Sequence, residues 1–298
     1  MIRNFCEHRQ TRRKFGLTAI LLITSVTAGP ARAGNTFFFS TGEPDGKMAM
    51  ASRPDSAGKI EIEAADDFVL TANTSITSAT FTGLLPAGSL LSDVTDVRVE
   101  IYRVFPNDSA FPPNGAVPTR INSPSDVEFD DRSASAHTLT FTPGIISSSF
   151  AASKSILNGI SVNSGGDGAV TGQEVRFNVL FSTPFSLLAD HYFFVPQVQL
   201  SSGDFFWLSA PKPIVPPGTS FPPGFTDLQT WTRNENLDPN WLRVGTDIVG
   251  GSPAPQFNSA FSLAGSTVPE PSSIYLLSVG SLILLLGSIF VRRSPTRA

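Results

Sequence analysis

The sequence predicts an all-β fold, a single β-sandwich of jelly-roll or other Greek-key type, with a signal peptide before it and a transmembrane helix after it. Three observations carry this expectation. Short runs rich in Val, Ile, Thr and Phe alternate apolar and polar residues with a period of two. Turn-forming clusters separate these runs in a chain that holds 24 Gly and 24 Pro. Between the two ends no stretch sustains an apolar stripe at helical spacing.

Taken in order, the strand-like runs are DDFVLT at Asp66 to Thr71, SITSATFTGL at Ser75 to Leu84, VTDVRVEIYRV at Val94 to Val104, HTLTFT at His137 to Thr142 and QEVRFNVLF at Gln173 to Phe181. After these come HYFFVPQVQL at His191 to Leu200, DFFWLSA at Asp204 to Ala210, LQTWTR at Leu228 to Arg233 and FNSAFSLAG at Phe257 to Gly265. The alternation in Val97, Arg98, Val99, Glu100 and Ile101 turns one face inward and one outward. The Pro-rich segments 111–126 and 210–225 read as long surface loops, because too few strands lie on either side to build separate cores. No period of 20 to 50 residues is present, which excludes a solenoid or a propeller.

At the N-terminus, Arg12, Arg13 and Lys14 precede a short apolar stretch from Phe15 to Val26. Ala31, Arg32 and Ala33 form the small-x-small pattern of a signal peptidase site, so residues 1–33 read as a signal peptide cleaved before Gly34. The paired arginines also fit a twin-arginine export signal, with ordinary Sec export as the alternative. The sandwich domain then covers 34–265.

The C-terminal segment 266–298 has three parts: Val268-Pro269-Glu270-Pro271, an uncharged apolar run from Ile274 to Val291, and a basic tail with Arg292, Arg293 and Arg297. Eighteen helical residues rise about 27 Å, near the lower limit for spanning a hydrocarbon core of about 30 Å. Arginines directly after the run place the tail in the cytoplasm and the domain outside it. A proline on each side of Glu270 keeps that residue extended and out of the helix. This arrangement resembles the PEP-CTERM sorting signal of Gram-negative bacteria, a tail that is also labelled an ice-binding protein C-terminal domain without implying ice binding. The resemblance covers the last 31 residues. It implies recognition by exosortase, a membrane-embedded cysteine transpeptidase that cuts near the motif, and an association with exopolysaccharide and biofilm.

Between Gly34 and Val268 stand 12 Lys and Arg against 23 Asp and Glu, a net charge of −11, whereas the whole chain carries −4. Such acidity excludes nucleic acid as a partner, since its phosphates require facing positive charge. The single cysteine, Cys6, falls in the signal peptide, which leaves the domain without a disulfide or a thiolate nucleophile.

For chemistry, His137 and His191 stand in no hydrolase or zinc motif, and no enzymatic activity is expected from them. Glycoside cleavage needs only two carboxylates, and no pair stands out by sequence. Asp66 and Asp67, at the opening of a strand, and Asp167, in the loop NSGGDG, are candidate ligands for a structural calcium; no other cofactor is expected. Trp207, Trp231 and Trp241, flanked by Asp, Asn and Arg, are candidate stacking platforms for a glycan.

The expectation is therefore an exported structural or adhesive protein of the cell envelope or extracellular matrix. Its partners would be the export machinery, exosortase, the inner membrane before processing, and exopolysaccharide. A carbohydrate-binding or carbohydrate-cleaving sandwich is the alternative.

Overall fold

The computed structural model describes residues 34–56, 58–110 and 115–268. Ala31 and Ala33, the motif residues Pro269, Glu270 and Pro271, the apolar run 274–291, and Arg292 and Arg293 lie outside the described residues. Among the described residues no helix is long and apolar enough to cross a membrane.

The fold is all-β, in two sheets. The first eight strands are β1 (Thr36–Ser40), β2 (Met48–Ala51), β3 (Ile62–Val69), β4 (Thr74–Pro86), β5 (Val94–Arg103), β6 (Asp130–Ser133), β7 (Leu139–Ala152) and β8 (Lys154–Ile156). The remainder are β9 (Val170–Leu187), β10 (His191–Leu200), β11 (Phe206–Ala210), β12 (Trp231–Asn234), β13 (Leu242–Arg243), β14 (Asn258–Ser259) and β15 (Phe261–Thr267). Helical geometry among the described residues is limited to a 3-10 turn, Leu91–Asp93, and a π-helical turn, Val244–Val249.

Strand β4 organises the larger, nine-stranded sheet. One of its edges pairs with β9, which in turn pairs with β7. Its other edge pairs first with β15, which carries β1, and then with β11, which carries β2 and β14. Gly83 stands on β4 where Phe205 crosses, and a Cβ there would lie 2.1 Å from the ring. The second sheet runs β13-β12-β3-β10-β5-β6, all antiparallel.

Burial of alternate side chains from both sheets closes the core. Phe194 of β10 stacks on Phe261 of β15 at 5.0 Å, meets Trp207 of β11 at 6.0 Å and Phe81 of β4 at 6.5 Å. Phe39 of β1 meets Phe68 of β3 at 6.5 Å. Each such side chain, taken out of water, contributes roughly 1.5–3 kcal/mol. The six-stranded sheet is buried on its second face as well. There Ala65, Tyr102, Phe193 and Val195 pack under Leu228, Trp231 and Trp241. All eight residues of β3 are buried in consequence.

Asp66 and Asp67 therefore lie in the middle of β3 and do not open it. The apolar and acidic residues before them already belong to the strand, which starts at Ile62.

Candidate functional site

The doubly buried sheet gathers charge on its outer face. Strand geometry sends alternate residues there: Glu63 and Asp67 from β3, Arg98, Glu100 and Tyr102 from β5, His191 and Gln197 from β10, and Arg233 from β12. Arg233 lies opposite Glu63 in the β12–β3 register. The Tyr102 hydroxyl donates to Glu63 Oε1 at 2.6 Å and lies 3.2 Å from Glu100 Oε2.

Arg233 ties this cluster together. Its Nε donates to Glu63 Oε2, its Nη2 to the Tyr102 hydroxyl at 3.0 Å, and its Nη1 to Asp238 Oδ1 at 2.7 Å and to the Asp126 carbonyl at 3.1 Å. The guanidinium also lies 4.4 Å over the Trp241 ring. Arg98 Nε sits 2.7 Å from Glu100 Oε1 at the margin. Burial, and then the charge of Glu63, push Glu100 well above the ordinary carboxylate range. Burial likewise raises the Tyr102 phenol. The surrounding acids outweigh the cost of burial for Arg233 and hold it protonated.

Glu63 and Glu100 are 3 % and 2 % exposed. Glycoside hydrolysis places the substrate between two carboxylates, whereas the Tyr102 hydroxyl stands between these. The arrangement works as a clasp: one cation and one hydroxyl join three strands to the loops that carry Asp126 and Asp238.

Further along the same face, His191 Nε2 lies 2.6 Å from Asp67 Oδ2, which also accepts the Leu228 N–H at 3.1 Å. Burial raises Asp67 well above the carboxylate range and lowers His191 to about 4. The imidazole is therefore neutral at pH 7, beside a carboxyl that tends to keep its proton. Between pH 6.5 and about 4 the unfolded chain binds a proton at His191 that the folded chain does not, so through this group stability falls as pH drops across that window. The contribution of Asp67 has the opposite sign, being present at low pH and lost as pH rises through its raised folded value. In an NMR titration the His191 ring resonances should keep neutral-imidazole positions down to about pH 4. A midpoint near 6.5 would contradict its burial. His137, by contrast, is exposed in a turn, with φ of 58°.

The calcium ligands read from the sequence are not brought together. Asp66 and Asp67 are neighbours on one strand and point to opposite faces, which prevents both from reaching one cation. Asp66 faces the sheet interface, where its Oδ2 accepts the Ser259 N–H at 2.7 Å and its Oδ1 the Thr230 hydroxyl at 3.3 Å. Asp167 Oδ2 accepts the N–H groups of Leu157 at 2.6 Å, Asn158 at 3.0 Å and Gly159 at 3.4 Å, and so pins that turn. Among the described residues no group of three or more His, Cys, Asp and Glu side chains gathers as a metal site.

Nor do the tryptophans form open stacking platforms. Trp207, Trp231 and Trp241 are at most 1 % exposed. Trp207 lies between the sheets and donates to the Ala260 carbonyl at 2.9 Å, while Trp241 donates to the Ser125 carbonyl at 3.2 Å. Both carry enough apolar area to be worth more inside than outside.

Of the sorting residues, Val268 is described. It follows β15 directly, is 49 % exposed, and donates its N–H to the Asn73 carbonyl at 2.7 Å. Gly34 lies two residues before β1, and β1 pairs with β15 along its whole length, Thr36 opposite Ser266. No protein-family model matches this chain, and neither the curated proteins nor the solved structures contain a match.

Proposed function

We propose that the chain is an exported protein, held at the outer side of the inner membrane by its C-terminal segment until an exosortase-type transpeptidase cuts near Val268 to Pro271. It then serves as a structural or adhesive component of the cell envelope or exopolysaccharide matrix. The observation that carries this reading is the order Val-Pro-Glu-Pro, apolar run, arginines in residues 268–298. On this reading Val268, Pro269, Glu270 and Pro271 form the recognition motif, and Arg292 and Arg293 keep the tail in the cytoplasm.

The fold supports it in two ways. Strands β1 and β15 are paired neighbours, so Gly34 and Val268 emerge at one edge of the domain and both cleavage sites can face one membrane. Successive strands also pass repeatedly between the two sheets, as from β2 to β3, β4 to β5 and β10 to β11. Such crossings are what a jelly-roll or related Greek-key sandwich would require, and that architecture suits a durable matrix component.

Changing Pro269, Glu270 and Pro271 together to alanine should leave export intact and abolish release, so that the variant accumulates in the membrane fraction of the native host. Unchanged release would reduce the tail to a plain anchor.

A further inference from the structure

One end of the domain gathers the turns 70–73 and 188–190, the start of β1 and the end of β15. Thr74 is the partner of both Leu187 and Thr267, Tyr192 of both Phe68 and Arg103, and Thr36 of Ser266, so these strand ends lie side by side. Val268 is tied to the same place. Its N–H donates to the Asn73 carbonyl, and Asn73 Oδ1 accepts the Ala189 N–H at 3.1 Å.

This end turns apolar side chains toward water. Leu188 is 63 % exposed, Val268 49 %, Phe225 43 % and Phe129 39 %. All four are fixed about the β9–β10 turn. The Leu188 carbonyl accepts the Tyr192 hydroxyl at 3.2 Å, Phe129 meets the Tyr192 ring at 6.1 Å, and Phe225 stands edge-on to His191 at 5.9 Å. The turns Leu70 to Asn73 and Leu188 to Asp190 hold one charged residue between them, Asp190, whose Oδ1 accepts the His191 N–H at 2.8 Å. Scattered exposed apolar residues are ordinary, but a group of them where the chain leaves the fold marks a surface that meets something apolar.

What it meets follows from the chain beyond Val268. The uncharged apolar run begins six residues on, at Ile274, and six extended residues span at most about 20 Å. With that run in the bilayer, the apolar end of the domain cannot stand farther than this from the lipid.

We infer that this end of the domain rests on the membrane before release, with Leu188, Phe129, Phe225 and Val268 set into the headgroup layer. The inference rests on the anchor reading of residues 274–291 and adds to it that the folded domain itself touches lipid. Such a contact holds Pro269, Glu270 and Pro271 at the bilayer surface, within reach of a membrane-embedded transpeptidase.

The test uses the full-length chain with Cys6→Ser, reconstituted in phosphatidylethanolamine–phosphatidylglycerol vesicles, with a nitroxide on Ala189→Cys or on Ser202→Cys. Both positions are exposed and lie beyond opposite ends of β10. In power-saturation EPR the label at 189 should lose most of its access to an aqueous nickel chelate and gain access to oxygen, which concentrates in lipid, while the label at 202 stays open to nickel. Adding Leu188→Glu, which puts a charge at the centre of the contact, should return nickel access to the label at 189. Equal nickel access at 189 and 202, or no response to Leu188→Glu, would overturn the proposal. So would a label at 189 that loses access to both reagents, since that is cover by protein and not by lipid. Protease treatment of the same vesicles separates the two readings: recovery of a protected peptide spanning 274–291 upholds the anchor whatever the labels report, and its absence removes the anchor and the lipid contact together.

Discussion

Replacing Arg233 with alanine should destabilise the fold by about 3–5 kcal/mol, the usual cost of removing one partner from a buried ion pair. The magnitude follows from what is left behind. Glu63 would lose the one cation paired with it among the described residues while 3 % exposed, Tyr102 would lose a donor, and the Asp126 carbonyl would lose the Arg233 hydrogen bond. Burial already opposes charge on Glu100 beside it, so the cluster would relax by taking up a proton, and the loss should shrink as the pH is lowered. Adding Glu63→Gln to Arg233→Ala should recover part of the loss, because a neutral amide no longer demands a cation. Urea denaturation followed by tryptophan emission measures this directly, since Trp241 lies under the guanidinium. A loss below about 1 kcal/mol would put the pair in the class of exposed surface bridges and would contradict the clasp.

Phe194→Ala should cost about 3–5 kcal/mol by a different route, the loss of transfer energy together with a cavity that the sheets cannot close. Phe194 is wholly buried, and its neighbours Phe261, Trp207 and Phe81 all belong to the opposite sheet. Their positions are fixed by strand pairing, so the gap stays open. Phe194→Leu, which keeps most of the volume, should cost clearly less. Equal losses for the two substitutions would mean that this interface repacks freely, contrary to the interlocked rings described above.

The strands of the fold were visible in the sequence where alternation was undisturbed. Residues His191 to Leu200 coincide with β10, and the run from Val94 ends within one residue of β5. Strand β9 runs on to Leu187, past the expected end at Phe181, because Phe185 and Leu187 resume the inward pattern beyond Pro184. That proline sits where the β4–β9 register shifts, a place where a missing N–H is tolerated. Pro143 is likewise tolerated in β7, which among the described residues pairs with β9 alone. Strand β2, Met-Ala-Met-Ala, has neither a β-branched nor an aromatic residue and gives no sequence signal, although all four residues are buried.

The clasp was harder to see. Its members come from β3, β5 and β12, and Arg233 is 170 residues from Glu63 and 131 from Tyr102. Such separations leave no trace in local spacing. One sign was available: in Tyr192 to Val195 apolar residues fill both faces of the strand, and a strand apolar on both faces is covered on both. That rule, applied to its neighbours in the sheet, would have placed Glu63 and Glu100 inside. Asp66 and Asp67 carry the same lesson, since adjacent carboxylates in a strand belong to two different surfaces.

Intact mass spectrometry of the protein from culture supernatant and membranes of its native host decides whether both ends are removed and the domain is released, as proposed. The expected result is a supernatant species beginning at Gly34 and ending between Val268 and Pro271. A chain that is found only in membranes and still carries Ala298 would contradict it.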